Sequence, residues 1–227
     1  MLKRYCDYQK LIVRNKLMKP FQKKGRLSWF HTVAMSLLAF IFTGCASFQA
    51  GAGEDNFTPV GLTGVQHIGR DFNISDFYVN GAGGGNVGRG GGGGGTVCCV
   101  ALPNQWRPDL TVEVRWAVGD WSKENLTETD HGNYKSITFE RYKARVPVEK
   151  YDAPEQVYVH FFAGGKVRVV SSSPGSLSKL HPIQRNDSHA ADIATVGTPI
   201  DALFTPEELD EIGRKREANL KKYGDWR

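Results

Sequence analysis

The amino-acid sequence predicts an all-β protein, an antiparallel β-sandwich-like domain with a C-terminal helix. Two observations predict the strands: short runs of β-branched and aromatic residues recur between turn residues, and the clearest run alternates apolar and polar side chains. Such spacing is typical of sandwiches and barrels. The third observation is that a helix start signal is found only in the last segment. The predicted strands are 64–69, 73–79, 96–102, 110–118, 136–148, 155–163 and 166–172.

The fourth strand and the last two carry the strongest patterns. In the fourth, Glu113 and Arg115 alternate with an apolar set, so the two kinds of side chain fall on opposite faces. The apolar set is Val112, Val114, Trp116 and Val118. Between the last two strands, residues 163–166 read Ala-Gly-Gly-Lys, and adjacent glycines accept the positive φ of a tight turn. We therefore expect a half-buried antiparallel strand and a hairpin.

The segment 204–227 predicts the helix. Thr205 is a cap, Pro206 suits the first turn and Glu208 completes a capping box. The apolar stripe of this helix is thin, and it consists of Leu209, Ile212, Leu220 and Tyr223. We therefore expect the helix to dock loosely or fray, and residues 173–204 to be mostly loop.

Residues 1–44 have the pattern of an export signal. Residues 1–28 carry nine Lys or Arg against one acid, and an apolar stretch without fixed charge follows. That stretch is shorter than the ~20 residues of a membrane span. Phe42-Thr43-Gly44-Cys45 resembles the lipobox of bacterial lipoproteins, in which the cysteine receives fatty chains, palmitate among them, and becomes the N-terminus. An ordinary cleaved signal and an uncleaved anchor are the alternatives, and translation could also begin at Met18.

The mature chain would be slightly acidic. Residues 45–227 carry 20 basic and 23 acidic side chains, so the net charge of +5 for the whole chain comes from the leader. A nucleic-acid partner requires a cationic surface, and we expect none. We predict a flexible tether over 45–62, because its residues are small and polar. A β domain over 63–203 would follow.

The segment 79–100, VNGAGGGNVGRGGGGGGTVCCV, holds eleven of the 26 glycines. It contains the spelling G-x-G-x-x-G, but a dinucleotide loop must open a helix, whereas this run leads into a strand. We therefore expect no nucleotide cofactor. For the glycine-rich loop 81–95 two interpretations remain open: a long mobile hairpin connection, or a backbone-rich surface closely approached by a partner. The second would centre on Gly83, Gly84, Gly85 and Asn86.

The two cysteines after the glycine run also leave alternatives open. Alternation along a strand would place the side chains of Cys98 and Cys99 on opposite faces. The pair could be reduced and partly buried, joined as a vicinal disulfide, or engaged in a redox or partner bond. We predict no metal site, because the histidines have no ligand spacing beside this pair. Asp187, His189 and Asp192 lack further ligands and are explained as well by a polar loop.

No catalytic motif is found in the sequence, and we expect no enzymatic activity. There is no G-x-S-x-G, no H-E-x-x-H and no C-x-x-C. His160 alternates with apolar neighbours, which indicates a buried sheet residue. Trp106 beside Arg107 is the predicted surface anchor for a partner, because Trp and Arg dominate interface energies.

Several motifs together resemble a family of Gram-negative lipoproteins of formerly unknown function, over residues 64–183. The motifs are Asn80 to Asn86, Gly91 to Gly95, Thr96-Val97-Cys98-Cys99-Val100, Leu102-Pro103, Trp106-Arg107-Pro108 and Val112 to Trp116. The family often has a Tyr-Asn-His-Thr stretch upstream of these motifs, and this sequence keeps only its histidine, His67. The family is similar to immunity proteins against type VI secretion lipase effectors.

The resemblance implies a lipid-anchored immunity protein that binds and neutralises a lipase or phospholipase effector. Ala46 and Ser47 after the lipidated cysteine favour the outer membrane, with the domain facing the periplasm; the inner membrane is the alternative. A structural or envelope-maintenance lipoprotein that binds another envelope component is the alternative function.

Overall fold

The computed structural model describes residues 56–223. The predicted export signal over 1–44 and the lipid-attachment site Cys45 therefore lie outside the described residues. The predicted tether is wrong over 57–62, because the first strand already begins at Phe57. The small and polar composition holds only for the residues before Phe57, and burial along the strand begins at Val60.

Residues 56–223 form two β-sheets and two helices. The strands are β1 (Phe57–Gln66), β2 (Phe72–Val79), β3 (Ala82–Gly83), β4 (Gly92–Gly93), β5 (Val97–Pro103), β6 (Thr111–Asp120), β7 (Thr138–Pro147), β8 (Val157–Phe162), β9 (Lys166–Ser171), β10 (Thr195–Val196) and β11 (Thr198–Pro199). The helices are α1 (Leu126–Asp130) and α2 (Pro206–Tyr223).

The sheets confirm the predicted sandwich-like, all-β class. Sheet A has the order β10-β9-β8-β1-β4, with β5 also paired to β1, and sheet B has the order β11-β7-β6-β2-β3. Most pairs are antiparallel, but β1 and β8 run parallel. A hairpin cannot join parallel strands, and here the chain passes through sheet B between them.

The main core lies between the two sheets. Its largest fully buried side chains include Trp116 of β6, Phe77 of β2 and Phe161 of β8. The four apolar side chains of β6 that alternation placed on one face are all buried, but the strand is more than half-buried, because Arg115 and Ala117 on the other face are buried too.

A second, smaller core covers the other face of sheet A. It consists of Val65, Tyr158, Phe162, Val170, Ile183 and Ala190. The last two belong to the segment 172–194, which is rich in turns, as the sequence predicts, and lies over the sheet. Because sheet A is covered on both faces, all six residues of β8 are buried.

Short crossing segments connect the two sheets at both edges. At one edge, β10 of sheet A and β11 of sheet B are separated only by Gly197, where a Cβ would overlap the ring of Trp116. At the other edge, the glycine-rich segment supplies β3 to sheet B and β4 to sheet A. Such short edge strands leave little backbone available for pairing with other chains.

Candidate functional site

The glycine-rich segment 81–95 pairs with both sheets and packs against the core, so its structure differs from the long mobile hairpin connection that was one of the two interpretations. After the turn at Asn80 and Gly81, both with positive φ, β3 pairs with β2. Val87 then enters the core, 1% exposed, and exchanges two backbone hydrogen bonds with Ile74. The Asn-Gly pair is a hairpin signal that could have predicted β3 from the sequence.

Close packing explains the glycines at the centre of this segment. A Cβ at Gly84 would overlap the ring of Phe77, whose carbonyl accepts a 2.8 Å hydrogen bond from the Gly84 amide. Gly83 and Asn86 are exposed, whereas Gly84 and Gly85 are partly buried. The four residues predicted to contact a partner therefore lie partly at the surface and partly in the interior.

An exposed cluster of aromatic and charged side chains adjoins the glycine-rich segment. The guanidinium of Arg89 lies 4.6 Å from the ring centroid of Trp121 and forms a 2.5 Å ion pair with Glu124. Tyr134 contacts Trp121 edge to face, with centroids 6.0 Å apart. Phe139 lies beside Trp121 across the small surface of Gly119. We call Arg89, Trp121, Tyr134 and Phe139 the aromatic patch.

The aromatic patch is both accessible and held in place. Tyr134 is 53% exposed and Phe139 is 40% exposed. The indole of Trp121 donates a 2.8 Å hydrogen bond to the side-chain oxygen of Asn73. The patch therefore combines exposed aromatic rings with a fixed Trp and an Arg stacked on it. Aromatic residues and Arg are the residue types that dominate the energies of protein interfaces. The sequence did not indicate this patch, because Arg89 and Phe139 are distant in the chain.

Trp106 and Arg107, the predicted anchor, are not brought together as a surface pair. Trp106 packs against the main core, and its indole donates a 2.8 Å hydrogen bond to the carbonyl of Val148. Arg107 is exposed and forms a 3.2 Å ion pair with Asp109. An interface role for these two residues remains a prediction.

Cys98 and Cys99 of β5 form a disulfide between adjacent residues. Both side chains are half-buried. Because their sulfur atoms are bonded to each other, the two side chains do not point to opposite faces, as alternation along the strand predicted.

Three histidines form a hydrogen-bonded chain in the second core. His67 Nε2 lies 2.8 Å from His160 Nδ1, and His160 Nε2 lies 3.0 Å from His181 Nε2. His181 Nδ1 lies 2.8 Å from the carbonyl oxygen of Pro174. A carbonyl only accepts, so three neutral rings satisfy these three bonds when each donates toward Pro174, and His67 then has no second proton to donate to the backbone of Arg185. The sequence indicated His160 as a buried sheet residue but could not reveal its partners.

Burial makes His67 and His160 poor bases. Desolvation lowers the pKa of His160 well below its usual value, and nearby His67, His181 and Arg168 lower it further. Desolvation also lowers the pKa of His67, opposed by a hydrogen bond with the backbone of Arg185. The ring of Tyr158 packs edge to face on His181. We therefore assign a structural role to the three hydrogen-bonded histidines, which join sheet A to the segment 172–194 that covers it.

The remaining polar candidates show no metal geometry. His189 and Asp192 form an exposed 2.9 Å pair, which raises the pKa of His189. Within residues 56–223, no three His, Cys, Asp or Glu side chains are arranged to hold a metal ion.

Comparisons with known proteins match one part of the chain. Residues 69–169 match a family described as a protein of unknown function (DUF3304), so a DUF3304 domain occupies this stretch. It contains the glycine-rich segment, the disulfide and the aromatic patch. Neither the curated proteins nor the solved structures gave a match. No helix within the described residues is long and apolar enough to cross a membrane.

Proposed function

We propose that this protein is a lipid-anchored binding protein of the periplasm that neutralises a lipase effector delivered by a type VI secretion system. The export signal and lipobox at Cys45 support the location. The motifs of the glycine run and the double cysteine support the immunity role through their resemblance to such proteins.

The aromatic patch is the observation that carries the binding function. A protein that inhibits by occlusion needs a complementary surface of about 1,600 Å² in total and no chemistry of its own. Fixed aromatic rings lose little side-chain entropy on binding, so they are suited to the centre of such a surface. Tyr134 and Phe139 supply exposed rings, Tyr134 packs edge to face on Trp121, and the guanidinium of Arg89 stacks on Trp121.

Co-expression with a lipase effector encoded beside this gene tests the proposal. The full chain is expected to relieve the toxicity of that lipase and to co-purify with it. The double variant Tyr134→Ala, Phe139→Ala is expected to weaken the complex by about thirtyfold to a thousandfold, because each interface ring contributes ~1–2 kcal/mol. Leu180→Ala is the matched control, since Leu180 is 81% exposed but lies over sheet A.

Two outcomes would contradict the proposal. If no complex forms and toxicity is unrelieved, the immunity role is wrong, and capture of another envelope component through the same patch would support the envelope-maintenance alternative. If Cys45→Ala remains with the membranes after fractionation, the lipid anchor is wrong.

A further inference from the structure

The segment 172–194 lies over sheet A but does not belong to the main core. The apolar side chains that it buries are Ile183 and Ala190, and both belong to the second core. The main core lies on the opposite face of sheet A and shares no residue with the second core. Release of this segment would therefore leave the packing between the two sheets in place.

The histidine chain ties this segment to the sheet at a site that is shielded from water. His160 of β8 is fully buried, and His181 of the segment is 3% exposed. Their Nε2 atoms lie 3.0 Å apart. The carbonyl of Ala190 also accepts a 2.9 Å hydrogen bond from Arg168 of β9. Release of the segment would expose the rings of His160 and His181 to solvent.

The hydrogen bonds limit the number of protons that the closed histidine chain can hold. The two nitrogen–nitrogen contacts, His67 to His160 and His160 to His181, take one proton each. The two outer nitrogens, on His67 and His181, can also carry one proton each, and His181 then donates to Pro174. The closed chain thus holds at most one proton more than three neutral rings. A further proton would place two N–H groups face to face and break a hydrogen bond.

Release of the segment removes this limit. The three rings are then separate imidazoles, and each can bind a second proton with an ordinary pKa of about 6.5. At pH values well above 6.5 the rings are neutral in both forms, so the proton count favours neither. As the pH falls below about 6.5, the open form binds up to two protons more than the closed form, so acid favours opening.

The surroundings of the histidine chain act in the same direction. Desolvation is the largest effect that lowers the pKa of His160 and His67, and Arg168 lowers both further. The groups that face the chain are Arg168 of β9, which pairs with Glu149 at 2.7 Å, Arg185 of the segment, and the rings of Tyr158 and Phe162 of β8. The closed form therefore stabilises an added positive charge poorly.

We propose that the histidine chain is an acid-sensitive latch, which holds the segment 172–194 on sheet A at neutral pH and releases it at acid pH. Opening takes up two protons and breaks the hydrogen bond between His160 and His181. It uncovers the apolar side chains of sheet A beneath the segment, which are Val65, Tyr158, Phe162 and Val170. The latch is independent of the proposed lipase binding.

Hydrogen–deuterium exchange of the full chain at pH 7.5 and pH 5.5, corrected for the intrinsic exchange rate at each pH, measures the opening. The amides of His181 and Ala190 report on the segment, since each donates to a carbonyl within it. Their protection is expected to fall at least about a hundredfold at pH 5.5, because each proton taken up at an ordinary pKa contributes about tenfold. Amides of β6, in the main core, should keep their protection.

Substitutions count the protons. The side chain of His160→Gln can accept from His67 and donate to His181 without titrating, so the excess falls to one proton and the change in protection should shrink about tenfold. The double variant His160→Gln, His181→Gln leaves no excess proton and should lose most of the remaining change. His189→Gln is the matched control: His189 is an exposed histidine of the same segment, so this variant should keep the full hundredfold change.

Three results would overturn the latch. They are equal protection of the segment at the two pH values, the same pH dependence in His160→Gln as in the unsubstituted chain, and loss of protection in β6 together with the segment. Nitrogen NMR of the imidazole rings in the unsubstituted chain is a check that needs no variant. While the segment is still protected, at most one of the three rings should be charged, and two charged rings would also overturn the proposal.

Discussion

Gly84→Ala tests whether the glycine-rich segment is a packed part of the sandwich. The added methyl group would overlap the ring of Phe77. That ring is 1% exposed and packs edge to face on Phe161, with centroids 5.3 Å apart, so it has no space into which to move. The backbone of Gly84 must shift instead, which would stretch its 2.8 Å hydrogen bond to Phe77.

The expected magnitude follows from the cost of overpacking. Extra methyl groups in a close-packed core cost ~1–3 kcal/mol. Gly88 is the matched control: nothing lies within 4 Å of its Cβ position. Alanine there restricts the unfolded chain and stabilises by ~0.4–1 kcal/mol. The free energies of unfolding of the two variants should therefore differ by roughly 2–3 kcal/mol, about a hundredfold in the folding equilibrium.

Urea unfolding followed by tryptophan fluorescence measures this difference, because Trp116 is fully buried and reports on the core. The double variant Gly84→Ala, Phe77→Leu should recover part of the loss relative to the sum of the single changes, since a smaller side chain makes room for the methyl. If Gly84→Ala and Gly88→Ala have the same unfolding midpoint and slope, the segment is a mobile connection and the packing argument is wrong.

Three further predictions concern the histidine chain and helix α2. The free energy of unfolding should fall as the pH drops below about 6.5, because burial lowers the pKa of His67 and His160 in the folded protein and only the unfolded chain then takes up protons. Urea midpoints at about pH 8 and pH 5 check this, and equal midpoints would contradict it. Arg115→Met should speed tryptic cleavage within α2, because it removes the clamp on the helix, whereas Arg107→Met should not. Thr205→Ala should lower the helical circular dichroism signal, because a cap contributes ~1 kcal/mol; an unchanged signal would refute the capping box.

Local signals in the sequence predicted the regular elements well. The alternation of β6, the hairpin at 163–166 and the capping box of Thr205 and Glu208 depend on neighbours in the chain, and each is present in the structure. The capping box has a second role that the sequence did not indicate, since Glu208 also binds Arg115. That ion pair lowers the pKa of Glu208 to about 2.

Contacts between distant segments could not be predicted. The histidine chain joins residues that are 93 and 21 positions apart, and no local pattern connects them. The glycine content of the segment 81–95 suggested a mobile loop. Glycine also permits the close approach of backbone to Phe77, and only the packing in the structure distinguishes a packed segment from a mobile one. The short helix α1 was missed because its five residues are too few to show a helical period, although Asn125 caps it.

The two sheets differ in what they offer to a partner. Sheet A is covered on one face by sheet B and on the other by the segment 172–194. The outer face of sheet B is covered in part, because Arg115 of its central strand β6 is buried where it binds Leu203 and Glu208 at the base of helix α2. Trp121 lies just beyond the end of the same strand. Arg115 of β6 holds the base of helix α2, and Trp121 of the aromatic patch follows the end of the same strand. Because β6 also contributes Trp116 to the main core between the sheets, a substitution that shifts this strand would disturb the core, the patch and the helix base together.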